Sequence, residues 1–413
     1  MRIAPTRLPL LLALLLGCPS SEPEPEPPTP ADPGVDPTVP AQAGQARAAV
    51  LPAEPEAFAR AAWGGIAAEA RPGDLVLFND RVHFAVRSRP GHGYVGVAGA
   101  IIDADVIRPA GQLGRDTLEE AFVALGIGRV VAADRVSVVA DGRDGGAAIV
   151  RAEGTDVRWT FVEGVIESGA PIGPEIGLEI VTDYILAPDR WALEVVTTFT
   201  NRGDESARIN PLDGQIAAQE DLWPYVSGQG MDPGGSDARA GVGQVGKHGE
   251  AAMLLFRPDR ALDTFGASDL LSSSGIELVA HGWTDIAPGE SFVLRRFRAV
   301  GPDSSTVEGE RRSEQGIASG WVSGRVTTPL GAGVPGARVH LVGGPDTETP
   351  RVEAFGVTGE DGGYTVRAEP GSYTAWATGV GADEIVDLPS SAGRYAPYAA
   401  AGVNAGQIAA LNG

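Results

Sequence analysis

The side chains able to do acid–base, nucleophilic or metal chemistry are few and scattered in this sequence. Its five histidines are His83, His92, His248, His281 and His340, and no two stand at metal-ligand spacing. HExxH, HxH and HxxE are absent, and so is GxSxG. A zinc or iron hydrolase needs several clustered His and acidic ligands, so the expectation is no metal and no cofactor. No catalytic residue is assigned. His83 and His340 fall at polar positions of alternating segments, which predicts solvated histidines. Carboxylates sit in glycine turns at Asp141-Gly142-Arg143-Asp144-Gly145, at Asp232 to Asp237 and at Glu360-Asp361-Gly362. Calcium takes six to eight oxygens, and each loop offers only a few. Ordinary turn chemistry is the expectation there.

Aromatic residues are the remaining lead. Trp223-Pro224-Tyr225 opens a glycine-rich stretch, and Trp376 points opposite Tyr373 by strand alternation. Flat rings pack on the C–H faces of sugars and on peptides, so Trp223, Tyr225 and Trp376 are the candidate ligand-binding residues. The competing reading is that such rings cover a sheet edge or meet a neighbouring domain.

The single cysteine, Cys18, follows Leu8 to Leu16, an almost wholly apolar run too short to cross a bilayer, which needs about 20 residues. Arg2 and Arg7 precede it with no acid, which is the layout of a bacterial export signal. Leu15-Leu16-Gly17-Cys18 resembles the lipobox of bacterial lipoproteins. That resemblance implies cleavage before Cys18 and acylation of Cys18, an anchor of several chains. Pro19 follows in place of the Asp that retains such proteins at the inner membrane, which favours the outer membrane of a Gram-negative cell. Ser21 to Pro40 is proline, acid and small residues, without the apolar surface to offset ordering entropy. It reads as a semi-rigid stalk.

The formal charge is −22, and losing Arg2 and Arg7 with the signal takes the mature chain to about −24. Such a field repels nucleic acid and anionic headgroups. The expected partners are the membrane, through the lipid, and carbohydrate or peptidoglycan.

The elements that must position any site are strands. Leu75 to Val86 reads as a hairpin turning at Asn79-Asp80, with Val82, Phe84 and Val86 alternating against Arg81, His83 and Ala85. Leu178 to Leu186 and Trp191 to Thr200 form the best strand pair. Asp116 to Leu125 carries an acidic first turn and predicts a helix. Asp221 to Gly249 reads as irregular, and Pro302 to Gln315, polar and charged without apolar spacing, reads as a boundary. Strands at short spacing with almost no helix predict an antiparallel sandwich.

Two resemblances extend this. Thr182 to Ile209 is similar to the strand–turn–strand of large β-sandwiches of the galactose-mutarotase-like supersandwich. A mutarotase would need a histidine acid and a carboxylate base, for which His248 with Glu250 or His281 with Asp285 would have to serve. Ser323-Gly324-Arg325-Val326, Val334 to Val339, Thr358 to Tyr364 and Pro370 to Tyr373 resemble the carboxypeptidase regulatory-like domain. That resemblance implies a transthyretin-like, seven-stranded, carbohydrate-binding-like fold, mostly non-catalytic. The expected fold class is therefore all-β: a large antiparallel, supersandwich-like sandwich followed by a small transthyretin-like one. The expected divisions are a signal at 1–17, a disordered stalk at 18–50, the large sandwich at 51–306, a linker at 307–319, the small module at 320–387 and an Ala/Gly-rich tail at 388–413. The reading is a non-enzymatic, membrane-anchored binding or scaffold protein of the envelope. The alternative is a sugar-epimerase-like enzyme or the front part of an exported metal-dependent hydrolase.

Overall fold

The computed structural model describes residues 34–109, 111–126, 128–159, 175–218, 222–230, 238–247, 249–264, 276–328, 330–344 and 351–378. The fold is all-β: a large antiparallel sandwich followed by a small one.

Strand β1 (Ala46–Val50) pairs with β2 (Leu75–Asn79), and the run continues through β3 (Val82–Val86) and β4 (Ile101–Val106) to β5 (Leu118–Leu125). A short helix α1 (Pro55–Ala61), capped by the Glu54 carboxylate, lies between β1 and β2. Strands β6 (Arg129–Ala140), β7 (Ala148–Arg158), β8 (Leu178–Leu186) and β9 (Ala192–Asn201) then pair in succession. After them come β10 (Ala207–Ile209), β11 (Pro211–Ala217), β12 (Leu222–Val226), β13 (Ala238–Arg239), β14 (Gly241–Gly246), β15 (Ala252–Phe256), β16 (Leu262–Thr264), β17 (Ile276–Ala280), β18 (Thr284–Ile286) and β19 (Ser291–Gly301). β10 and β18 pair with each other in a separate two-stranded sheet, and the others return to both runs. β11 joins β5 and leads on to β17, β16 and β13. β19 joins β9 and leads on to β15, β14 and β12. The two halves remain one hydrogen-bonded sheet through the Ala124–Val130 pair where β5 meets β6.

The halves face one another across a core in which Leu77, Phe84 and Val86 of the first meet Val150, Tyr184 and Val195 of the second. Their outer faces are covered in part. Phe78, Phe122 and Ile216 on the back of the first half pack with Trp159 and the partly buried Phe58 and Trp63. Trp223, Phe256 and Phe297 on the back of the second pack against the small sandwich.

That module has β20 (Gly320–Arg325) paired with β23 (Gly363–Ala368), and β21 (Arg338–Gly344) between β22 (Arg351–Val357) and β24 (Ser372–Thr378). Tyr364, Val366 and Ala368 face inward with Tyr373, Ala375 and Ala377, as their alternation predicts. Five strands of the expected seven-stranded module lie among the described residues; residues 329, 345–350 and 379–387 of the module, and the tail at 388–413, lie outside them.

Three local expectations change. Asp116 to Leu125 holds no helix, because Leu118–Leu125 is strand β5, buried on both faces. Good helix formers yield there to tertiary pairing. Its acid Glu120 accepts the Val95 and Gly96 N–H groups at 2.6 and 2.9 Å and pairs with Arg87. The expected stalk at 18–50 ends in order, since Ala46–Val50 is a paired strand. The expected linker overlaps a helix, α2 (Ser304–Glu314), N-capped by Asp303, whose carboxylate accepts the Thr306 N–H at 2.9 Å.

Candidate functional site

Strand alternation brings polar side chains into the interior. On β19, Arg296 and Arg298 point toward β11, whose Asp213 and Gln215 point back. Arg296 Nε donates to Asp213 Oδ2 at 2.8 Å, and Arg298 Nη2 lies 3.4 Å from Oδ1. His281, just after β17, places Nε2 2.7 Å from Asp213 Oδ2. Arg296 Nη1 donates to Thr197 Oγ1 at 2.8 Å, which in turn lies 3.0 Å from Thr182 Oγ1. Arg298 Nη1 donates to Gln215 Oε1 at 3.0 Å.

Burial alone would raise the Asp213 carboxyl. Arg296, His281 and Arg298 outweigh it and hold that carboxyl well below its ordinary range. Burial pushes the His281 imidazole down, so it is neutral at pH 7 and donates Nε2–H to the ionised Asp213. Its Nδ1 has no hydrogen-bond partner among the described residues. Glu277, half-buried beside Gln215 in the sheet, is pushed up to about 7 by burial, against the pull of Arg239 and Arg298. A cavity of about 10 Å³, lined by Gln215, Arg298, Met253 and Phe84 among others, adjoins this cluster. That is room for one water.

A second polar group lies behind the first half-sheet. Asp103 accepts the Glu69 N–H at 2.7 Å and the Ala70 N–H at 3.2 Å, tying the segment after α1 to β4. Asp116 accepts the Ala104 and Leu118 N–H groups on Oδ1, and its buried Oδ2 has no partner among the described residues. Burial raises both carboxyls first; like charge from Asp74 and Glu69 raises Asp103 further, and like charge from Asp103 and Asp105 raises Asp116 further.

The sequence candidates fall differently from expectation. Trp223, Tyr225 and Trp376 do come together, but at the junction of the two sandwiches and not on an open face. Trp223 is 8 % exposed, Tyr225 is buried, and Trp376 packs partly buried on the same cluster. The guanidinium of Arg338 lies 4.8 Å from the Trp223 ring centroid. Its Nη2 donates to Gly246 O at 3.0 Å and also to Lys247 O. Helix α2 fills the same junction. Tyr225 Oη donates to Glu308 at 3.1 Å, and Arg311 Nε donates to the other Glu308 oxygen at 2.7 Å. Arg312 donates to Arg367 O at 3.0 Å, and Arg190 pairs with Glu310 and Glu314. The rings are therefore core between the two bodies.

His83 and His340 are buried, contrary to the solvated reading. His83 stacks on Trp63 at 3.8 Å between ring centroids. His281 pairs with Asp213 and not with Asp285, which β18 carries elsewhere. His248, the Asp232 to Asp237 loop and Cys18 lie outside the described residues. Asp141 accepts the Arg143 N–H at 2.9 Å and Asp361 accepts the Gly363 N–H at 2.9 Å, both ordinary turns. No group of three or more His, Cys, Asp or Glu among the described residues is placed to hold a metal. The open tryptophans are Trp283 and Trp321, 65 % and 64 % exposed, which sequence reasoning passed over. Alternation of Trp321, Ser323 and Arg325 against the buried Val322 was the available signal.

No family model matches the chain, and no curated protein matches it. Among solved structures, it is similar to a TPR-domain-containing protein from Parabacteroides distasonis, at 10 % identity and TM-score 0.34 over 57 % of this chain and 49 % of that one. A galactose mutarotase-like protein from Lactobacillus casei aligns at 9 % identity and TM-score 0.33, over 55 % of this chain and all (100 %) of the other. A galactose mutarotase related enzyme from Lactobacillus acidophilus aligns at 8 % identity and TM-score 0.32, over 55 % and 97 %.

Proposed function

We propose that this chain is a lipid-tethered envelope protein whose body is a non-catalytic scaffold for binding. One observation carries the reading. The His281–Asp213 pair, the arrangement most able to move a proton, is closed by Arg296 and Arg298, with side-chain exposures of 0 to 9 % across the four. An ionised carboxylate held by two guanidiniums in a sealed core is a structural charge centre. Tethering rests on the lipobox at Cys18 and the acidic proline stretch after it. Radiolabelled palmitate in the expressing cell tests it: label on the wild type and none on Cys18→Ser is expected. An unlabelled wild-type chain would overturn the tether.

Glu277 favours a second reading. Its carboxyl titrates near neutrality on the same sheet face as His281, as a general base for sugar-ring opening would. A mutarotation assay on aldoses decides it. Turnover lost in both Glu277→Gln and His281→Ala would replace the scaffold reading with an enzymatic one.

A further inference from the structure

Strand β20 turns Trp321, Ser323 and Arg325 outward, and its partner β23 turns Thr365 and Arg367 outward beside them. The opposite face of the pair, Val322, Tyr364 and Val366, is the core of the module. Trp321 sits opposite Arg367 and Ser323 opposite Thr365, with their hydroxyls 3.3 Å apart. The Arg367 guanidinium lies 5.9 Å from the Trp321 ring centroid. That guanidinium is itself fixed, donating Nε to Ser319 Oγ at 2.7 Å and Nη1 to Gly309 O at 3.0 Å. The ring is thereby backed by a fixed cation while the indole stays 64 % exposed.

Charge is the second observation. Most arginines of this acidic chain meet a carboxylate; Arg325 and Arg367 meet carbonyl and hydroxyl oxygens, and neither forms an ion pair among the described residues. Asp361, at the far end of the strand pair, gives its carboxylate to the Gly363 N–H. Trp321 and Arg325 are four residues apart on one strand, about 13 Å. The result is a flat strip with an aromatic ring and a cation at one end, two hydroxyls in the middle and a second cation at the other end.

We infer that this strip is a binding site for an acidic polysaccharide, one sugar ring stacking on Trp321 and its carboxylates meeting Arg367 and Arg325. Indole faces take sugar C–H groups, guanidinium takes carboxylate, and Ser323 and Thr365 supply hydroxyls for the sugar hydroxyls between. The inference rests on the scaffold reading and names its ligand class.

Affinity electrophoresis of the full-length chain through polygalacturonate tests it, with dextran as the uncharged arm. Salt near 0.15 M screens the body's own field beyond about 8 Å. Retardation by polygalacturonate and none by dextran is expected. Trp321→Ala should weaken it at least roughly tenfold, with Trp321→Phe recovering part and the exposed control Trp283→Ala unchanged. Arg325→Gln should weaken it in the same direction. Equal retardation by dextran, no retardation by polygalacturonate, or a Trp321→Ala chain that migrates as wild type would each overturn the assignment. Palmitate labelling of the same chain reports the tether independently, so a failure here with labelling intact removes the ligand and leaves the scaffold standing.

Discussion

Arg338 belongs to the small sandwich and Trp223 to the large one, and the guanidinium of the first lies 4.8 Å from the ring centroid of the second. The contact is desolvated, with Trp223 8 % and Arg338 7 % exposed. A buried cation–π pair with added carbonyl acceptors couples the two bodies energetically. Trp223→Ala should cost about 3–5 kcal/mol and Arg338→Ala about 1–3 kcal/mol in urea denaturation. A double-mutant cycle should return a coupling of about 0.5–2 kcal/mol. Strict additivity of the two losses would show that the ring and the cation do not act together.

Asp213 neutralises two interior arginines at once. Asp213→Asn should therefore destabilise by about 3–5 kcal/mol, since it strands buried guanidinium charge. Removing one of those charges as well, in Asp213→Asn with Arg296→Met, should restore part of the loss. A double variant less stable than the single one would count against a charge origin.

The Asp103–Asp116 pair predicts an unusual pH dependence. Both folded-state carboxyls are raised by burial, with repulsion from neighbouring carboxylates added, from Asp74 and Glu69 at Asp103 and from Asp103 and Asp105 at Asp116. A raised carboxyl stabilises fully below its unfolded value and loses that stabilisation as pH climbs through the folded value. Stability should thus fall from about pH 4, the unfolded value, through about pH 7, the folded value of Asp103, opposite to a salt-bridged acid. Asp116→Asn mimics the protonated form and should flatten this decline while matching wild type near the acid end. Thermal melts across that range decide it, and an unchanged slope in the variant would rule the pair out as the source.

Gly154 on β7 lies where a β-carbon would come 2.0 Å from Ala132 O, within the β6–β7 ladder. Gly154→Ala should cost about 1–3 kcal/mol, because backbone and not a mobile side chain must move. A melting temperature equal to wild type would mean the bulge at Ala133–Arg135 absorbs the methyl group.

The sheet architecture was legible because hairpins such as β8–β9 and β23–β24 alternate cleanly and turn at Pro, Asp and Gly. What misled was the assumption behind alternation, that one face of a strand meets water. Here each outer face of the large sandwich is covered over part of its area, so His83 and Trp223 sit at alternate positions and are buried all the same. Helix α2 was illegible for a related reason: its buried residues include Glu308, Arg311 and Arg312, which compensate one another, so no apolar stripe marks it. The Asp213 cluster joins β11 and β19, which are not sheet neighbours and are separated by 83 residues at the Asp213–Arg296 contact. No local pattern announces such a meeting. Trp321, in contrast, was readable from its own strand.

Dissection of this chain at the junction after α2 would not be neutral. A fragment stopping before β20 would lose Val342, Phe355 and Trp376, leaving Trp223, Phe256 and Phe297 without their cover. In synthesis order, too, the cover follows the face it protects, so a nascent chain carries a sticky aromatic wall until Val342 to Trp376 has been made. The two sandwiches are separate in sequence and one unit in solubility.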